Sequence, residues 1–225
     1  MTEPLIIAID GPAGAGKSTV AQMVARRLGL AYVDSGATYR AAALKVLGSG
    51  VALENDEAIV RTVAAADIRF DPCQQPPHVL LDGEDVTTKI RSEEVTQAAS
   101  RVSRLPAVRK KMVALQRSMV QHPGVVMDGR DIGTVVFPGA PLKIFLRADL
   151  DERARRRFQQ DEENGRPSNL KKILAEISSR DQRDAERQAS PLVAAEDAAV
   201  IDSTQLSAEE VVEKILRLAR DKGLL

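Results

Sequence analysis

Apolar positions along the chain come in two rhythms. Short solid runs alternate with stretches in which apolar residues recur every three or four positions. Leu5 to Ile9 is a continuous apolar run and predicts a buried strand. Val20, Val24 and Leu28 then follow at helical spacing. Ala31–Val33, Val125–Met127, Leu142–Leu146 and Ala198–Ile201 repeat the strand signal, and all but Val125–Met127 are followed by a helix-like stretch. About five short strands alternating with helices predict a parallel sheet covered by helices on both faces, with right-handed crossovers.

Further helices are expected over about 37–47, 56–65, 93–103, 107–120 and 170–188, with Pro106 opening the fourth. Asp149 is expected to cap a helix, with Glu152 completing a capping box. The polar stretch 159–169, with Gly165 and Pro167, is read as an exposed, mobile tip. Ser207-x-x-Glu210 opens a last amphipathic helix, with Val211, Val212, Ile215 and Leu218 facing inward. The pattern changes character from Asp67 to Arg91. Ile68–Phe70 and His78–Leu81 read as strands, divided by a proline-rich turn over 71–77. Asp82-Gly83 is a tight-turn signal before Val86. This is a small antiparallel patch inserted between helices.

Composition narrows the classes. Lysine plus arginine, 32, equals aspartate plus glutamate, 32, so no global charge favours nucleic acid or a membrane surface. The apolar N-terminal run is too short to span a bilayer and follows Glu3, so neither a signal peptide nor a membrane anchor is expected. Cys73 is the only cysteine, which excludes an intrachain disulfide and fits a reducing cytoplasm. His78 and His122 are too scattered for a zinc site. With 225 residues, one large domain or a domain with an insertion is possible.

Chemistry enters directly after the first strand. Gly11-Pro12-Ala13-Gly14-Ala15-Gly16-Lys17-Ser18-Thr19 carries the spacing G-x-x-x-x-G-K-[ST] in the context strand, loop, helix. The glycines allow backbone N–H groups to turn inward on a phosphate chain, and the helix N-terminus adds partial positive charge. Lys17 then reaches the β- and γ-phosphates, and the Ser18 hydroxyl ligates Mg²⁺. Such a loop specifies a nucleoside triphosphate and leaves the acceptor open. A guanine-reading Asn-Lys-x-Asp is absent. Arginines instead recur at predicted loops and helix ends: Arg40, Arg109, Arg130, Arg180 and Arg187. Phosphoryl transfer needs charge neutralised on donor and acceptor phosphates, which the arginine fork suits. Taken singly, each is more often a surface salt-bridge partner, and it is their grouping in this order that points to phosphate. Arg180, Asp184 and Arg187 stand at i, i+4 and i+7, on one helix face. Asp181 and Arg183 point elsewhere and read as surface charges. Asp128 either helps hold the metal's water shell or caps the turn after its strand.

Four blocks carry a family resemblance: Asp34-Ser-Gly-Ala-Thr-Tyr-Arg40, Asp128-Gly-Arg-Asp-Ile-Gly-Thr-Val-Val-Phe-Pro138, Arg180-Asp-x-x-Asp184-x-x-Arg187, and Ile201-Asp-Ser-Thr204. Together with Pro106-x-Val-Arg109 they resemble the bacterial cytidylate (CMP) kinase family over nearly the whole chain. The resemblance implies ATP with Mg²⁺ as donor and CMP or dCMP as acceptor. It implies a P-loop NTPase-type α/β fold: a parallel five-stranded sheet, a small inserted antiparallel nucleotide-binding subdomain and a helical lid. The expected core covers about 1–62, 104–150 and 170–225, the insert about 63–103, and the lid about 151–169. By matching position, Lys17, Arg130 and Arg187 are the catalytic set. Residues Gly11 to Thr19 and Arg157 bind ATP. Ser35, Tyr39, Arg40, Gly129, Arg130 and Arg187 surround the acceptor phosphate and sugar, Arg180 and Asp184 the ribose, and Ser100, Arg109 and Asp131 the cytosine. Thr38 stands where the family tends to carry a bulky apolar residue, and Ser190-Pro-Leu192 replaces Ala-Pro-Leu. A cytoplasmic monomer is expected. The competing readings are a P-loop kinase for another small acceptor, such as AMP or shikimate, and a slow nucleotide-dependent regulatory module.

Overall fold

The computed structural model describes residues 3–71, 77–163, 165, 167–187 and 189–225. The expected proline-rich turn lies almost wholly outside them. The chain runs β1 (Leu5–Asp10), α1 (Lys17–Leu28), β2 (Ala31–Asp34), α2 (Ser35–Gly48) and α3 (Asp56–Ala65). Next come β3 (Ile68–Asp71), β4 (His78–Leu81), β5 (Glu84–Asp85), α4 (Glu93–Val102) and α5 (Pro106–Ser118). The last part is β6 (Gly124–Gly129), β7 (Leu142–Arg147), α6 (Leu150–Glu163), α7 (Leu170–Ala185), β8 (Ala199–Asp202) and α8 (Ala208–Asp221). Strand order in the main sheet is β2-β6-β1-β7-β8, and β3-β4-β5 form a separate antiparallel sheet.

Two compact units divide the chain: 1–30 with 122–225, and 31–121. In the first, β1 pairs in parallel with β6 and β7, and β7 with β8. Ile7, Ile9, Val125, Val126, Met127, Leu142 and Ile144 are buried. That explains why these strands read as solid apolar runs: both faces of a parallel sheet are covered. The Ser207–Glu210 capping box forms as expected. In α8, Val211, Val212, Ile215, Leu216 and Ala219 are buried, whereas Leu218 is only half-buried. The apolar stripe is thus rotated slightly from the one expected.

In the second unit α2 presents Ala37, Ala41, Ala42, Ala43 and Val46 to the core. These small side chains let α4 lie close against it. Asp82 (φ 52) and Gly83 (φ 86) both take the left-handed conformation, as the two-residue turn between β4 and β5 requires.

Two local expectations are corrected, and one turn was not foreseen. Helix α6 continues to Glu163, so 159–163 is helix rather than tip. Its residues are straight-chain helix formers, and an Arg157–Asp161 pair spans one turn at 3.0 Å. Glu152 builds no capping box. Its carboxylate takes Arg155 (2.7 Å) and Arg156 (2.8 Å), while the Asp149 N–H donates to Thr204 Oγ1. Residues Ile132–Val136 form a π-turn that periodicity did not reveal.

Candidate active site

In the first unit the carboxyl end of β1 opens into the glycine loop. At Gly11 (φ 150) a Cβ would lie 1.9 Å from the Leu146 carbonyl oxygen, so only glycine fits beside β7. Residues Gly11 to Thr19 then run from the strand end into the first turn of α1. Lys17 is buried, and its Nζ donates to the Pro12 carbonyl at 2.8 Å. Burial, reinforced by the charge of Arg130, lowers its ammonium to about 7, against the pull of Asp128. The Ser18 hydroxyl donates to Asp128 Oδ2 at 3.0 Å. Asp128 is buried near the end of β6. A hydroxyl and a carboxylate this close offer the hard oxygen donors that Mg²⁺ prefers. Arg157 lies half-exposed on α6, with its Nε on Asp161.

The same unit gathers a second cationic group. Beyond β6, Arg130 Nε donates to Asp184 Oδ2 at 2.9 Å, and its Nη1 to the Gly129 carbonyl. Arg187 Nε donates to the Asp184 carbonyl at 3.3 Å, and its Nη1 is 3.9 Å from Asp184 Oδ1. Burial alone would raise the Asp184 carboxyl. The charges of Arg130, Arg187 and Arg180 outweigh it and hold the group below the usual carboxylate range. Arg180 and Asp184 share a helix face, but α7 ends at Ala185, short of the expected 188, so Arg187 lies in the segment just past the helix and reaches Asp184 and the Arg130 group from there. Leu192 N–H donates to the Asp184 carbonyl, tying the Ser190-Pro-Leu192 segment to this cluster.

The second unit holds Ser35, Tyr39, Arg40, Ser100 and Arg109. Asp34 caps α2 by accepting from Ala37 N–H and pairs with Arg40 Nη2 at 2.6 Å. Ser35 is buried in the first turn of α2. The Arg109 guanidinium lies 5.3 Å from the Tyr39 ring centroid, a cation–π distance. Its Nη1 donates to the Ser103 carbonyl, and the Ser103 hydroxyl donates to the Ser100 carbonyl. The expected cytosine-reading set is divided by chain position: Ser100 and Arg109 belong to this unit, Asp131 to the other. Thr38 is fully buried, yet its hydroxyl donates to the Ser35 carbonyl and accepts from Gln116 Nε2 at 3.0 Å. The unusual hydroxyl is satisfied by a buried glutamine that sequence reading passed over.

Two further residues were missed. Asp10 accepts from the N–H groups of Ile132 (2.8 Å) and Gly133 (2.7 Å), holding the turn that follows Arg130 and Asp131. Its burial outweighs both hydrogen bonds and raises the carboxyl to about 6. A charge closing an apolar strand was the available signal. Asp181 was read as a surface charge. It is instead largely enclosed, paired with the buried Arg153 and bonded to Ala13 N–H. Arg183 behaves as expected: exposed, with its Nε on the Ser179 carbonyl of its own helix.

Known proteins place the chain by fold and by family. The solved structure of TT1252 from Thermus thermophilus matches with a TM-score of 0.50 at 20% identity, covering 98% of each chain, which speaks for the fold. A cytidylate kinase of Azotobacter vinelandii is 50% identical over 215 residues, 95% of this chain and 94% of its own. One from Geobacillus sp. (strain WCH70) is 49% identical over 222 residues, 99% of both chains. The cytidylate kinase family model matches residues 7–221. With the loop at Gly11–Ser18 and the arginine cluster around Asp184 in place, the chain belongs to the cytidylate kinase family.

Proposed function

We infer that the protein transfers the γ-phosphoryl group of ATP to CMP or dCMP, giving ADP and CDP or dCDP in pyrimidine nucleotide metabolism. Two cationic groups within one unit carry this reading. Lys17 with Ser18 and Asp128 closes the end of β1 and β6, and Arg130 with Asp184 and Arg187 follows directly beyond β6. A donor loop alone would suit a nucleotide switch. A second arginine cluster suits an enzyme that must also neutralise an acceptor phosphate.

In this reading the loop amides from Gly11 to Thr19 and the Lys17 ammonium hold the β- and γ-phosphates. Arg130 and Arg187 hold the acceptor phosphate, with Ser35, Tyr39 and Arg40 beside it. Their forks spread the charge that builds on the transferring group. Arg180 and Asp184 meet the ribose. Ser100, Arg109 and Asp131 read the cytosine edge. No general base is needed, because a phosphate monoester is already largely ionised at neutral pH. Ser18, with Asp128 behind it, would hold Mg²⁺, which would supply neutralisation of the phosphate charge. Residues 63–103 serve as the acceptor-binding insert. Residues 151–169, with Arg157, serve as the lid that excludes water.

The partners are small nucleotides rather than nucleic acid, and the protein acts as a cytoplasmic monomer. Among the described residues no helix is long and apolar enough to cross a membrane. A coupled assay of ADP release, with and without acceptor, tests the reading. CMP is expected to stimulate release far above AMP, UMP or shikimate. Release independent of CMP would favour a regulatory nucleotide hydrolase instead.

A further inference from the structure

The loop's third residue is held from both sides. The Ala13 N–H donates to Asp181 Oδ1 at 3.3 Å. The Ala13 carbonyl accepts from Arg153 Nη1 at 3.0 Å. Arg153 Nη1 also donates to Asp181 Oδ2, which closes a ring of three groups. Arg153 is fixed in turn, since its Nε donates to the Ala148 carbonyl at 2.9 Å and the residue is buried. The two side chains come from different helices, Arg153 from the first turn of α6 and Asp181 from near the C-terminal end of α7.

The next residue shows how tightly this corner is packed. A Cβ on Gly14 (φ 76) would lie 3.0 Å from Arg153 Cβ and 3.1 Å from the Arg153 carbonyl oxygen. The backbone of α6 thus lies directly against the loop. Helix α7 carries Asp184 about one turn on, and Arg187 follows just past the helix end, both in the cluster with Arg130. One helix therefore grips the donor loop through Asp181 and the acceptor arginines through Asp184.

We propose that Asp181, oriented by Arg153, is a positioning residue for the donor site: by fixing the backbone on both sides of Ala13 the pair presets the loop for the phosphates of a nucleoside triphosphate. This rests on reading Gly11–Ser18 as the ATP loop. A phosphate cradle works only when its amides already point inward, because a loop that must order itself on binding loses affinity. The Asp181 carboxylate and Arg153 guanidinium satisfy the two peptide groups that flank Ala13, one at its N–H and the other at its C=O. The helices then set where the neighbouring amides aim. The acceptor arginines do not depend on the Ala13 peptide, so the effect belongs to ATP.

The test is steady-state kinetics for both substrates, with calorimetric binding of ATP, on the full chain. Asp181→Ala is expected to raise KM and Kd for ATP about tenfold while KM for CMP stays within about twofold. In an Arg153→Ala background, Asp181→Ala is expected to add less than about twofold, because the pair acts as a unit. Should Asp181→Ala fail to fold, the isosteric Asp181→Asn is read instead, with an expected rise of about threefold for ATP alone. Three results overturn the proposal: unchanged ATP constants, equal rises for ATP and CMP, and tighter ATP binding. The last would make the carboxylate a competitor of the phosphate for Ala13 N–H. If the wild-type protein binds no ATP, the loop reading itself fails, and that is seen before any variant is made.

Discussion

Buried charge is handled in opposite ways at the floor of the glycine loop and at the start of α2. At the loop, burial pushes Lys17 down to about 7 and Asp10 up to about 6, each toward its neutral form. At α2, burial works against the Asp34 carboxyl in the same way, but the charge and hydrogen bond of Arg40 outweigh it and hold Asp34 low. The second unit thus brings its own counter-charge. At the loop floor Asp128 and Asp10 pull on Lys17 but do not outweigh burial and the charge of Arg130, and the buried lysine is placed to be compensated by an incoming polyanion. Stability is sacrificed at the donor loop and retained in the second unit, as expected where a site is built for a charged ligand.

Removing the lysine breaks the comparison most severely. Lys17→Met keeps the stem and deletes the charge that meets the β- and γ-phosphates. It also relieves a buried ammonium, so the fold should be as stable as wild type or more so. The expected fall in kcat is on the order of 10³ or more, equivalent to roughly 4 kcal/mol of transition-state stabilisation. Near-normal turnover in the folded variant would remove Lys17 from the catalytic set.

Asp10 tests the same floor through stability. Burial holds its carboxyl at about 6 in the folded protein, against 3.8 for an aspartate in water. Between those values the native state holds the proton and the unfolded state releases it. Stability from this group is therefore full below about pH 4 and is lost as pH rises through about 6, by roughly 3 kcal/mol in total. Urea unfolding of wild type and Asp10→Asn at pH 4 and pH 7 checks the sign. The advantage of wild type over the variant should shrink on going to pH 7. A constant difference would mean that the two N–H bonds from Ile132 and Gly133 compensate the burial in full.

These two groups also mark what a sequence makes legible. The loop is contiguous, its chemistry is mostly backbone, and its glycines are dictated by close approach, so Gly11 to Ser18 could be read directly. The strands were equally plain, because a doubly covered sheet leaves unbroken apolar runs. What stayed hidden was pairing between distant positions. Asp10 to Gly133, Arg153 to Asp181 and Thr38 to Gln116 each join two residues whose local surroundings look ordinary. Asp181 lies beside Arg180 on a charged helix, where a solvated charge is the default expectation. Only the fold shows that one position of that turn meets the loop. The π-turn at Ile132–Val136 was hidden for a related reason, since its first two amides are satisfied from β1.

Base selection sharpens the comparison at the acceptor. Cytosine offers an amino donor at position 4 and a bare acceptor at N3, whereas uracil offers a carbonyl and an N–H. If Asp131 accepts from the amino group and Arg109 donates to the N3/O2 edge, uracil opposes both. CMP should then be favoured over UMP by on the order of 10² in kcat/KM, since unpaired buried polar groups cost about 1–3 kcal/mol each. Asp131→Ala should shrink that ratio at least about tenfold. Equal damage to both substrates would make Asp131 a partner of an arginine instead of a reader of the base.

The smallest expected effect isolates the counter-charge in the second unit. A Cβ on Gly36 would lie 3.0 Å from Arg40 Nη1 and 3.1 Å from Asp34 Oδ1. Both distances are tighter than ordinary contact, and both neighbours belong to the ion pair itself. Gly36 has no left-handed φ to defend, so Gly36→Ala suits its helix better than glycine does, by roughly 1 kcal/mol. The methyl must instead push the Arg40 fork off Asp34 by a few tenths of an ångström. Stability gained in the helix and lost in the pair should nearly cancel, leaving the midpoint of thermal unfolding within a few degrees of wild type. Arg40 is where the acceptor phosphate is proposed to bind, so KM for CMP should rise about fivefold with KM for ATP unchanged. A fivefold change is about 1 kcal/mol, the size of one weakened charge-assisted hydrogen bond. Steady-state kinetics with each substrate varied in turn decides it. If KM for CMP does not move, Arg40 serves only to hold Asp34 at the cap of α2, and the counter-charge in this unit is structural.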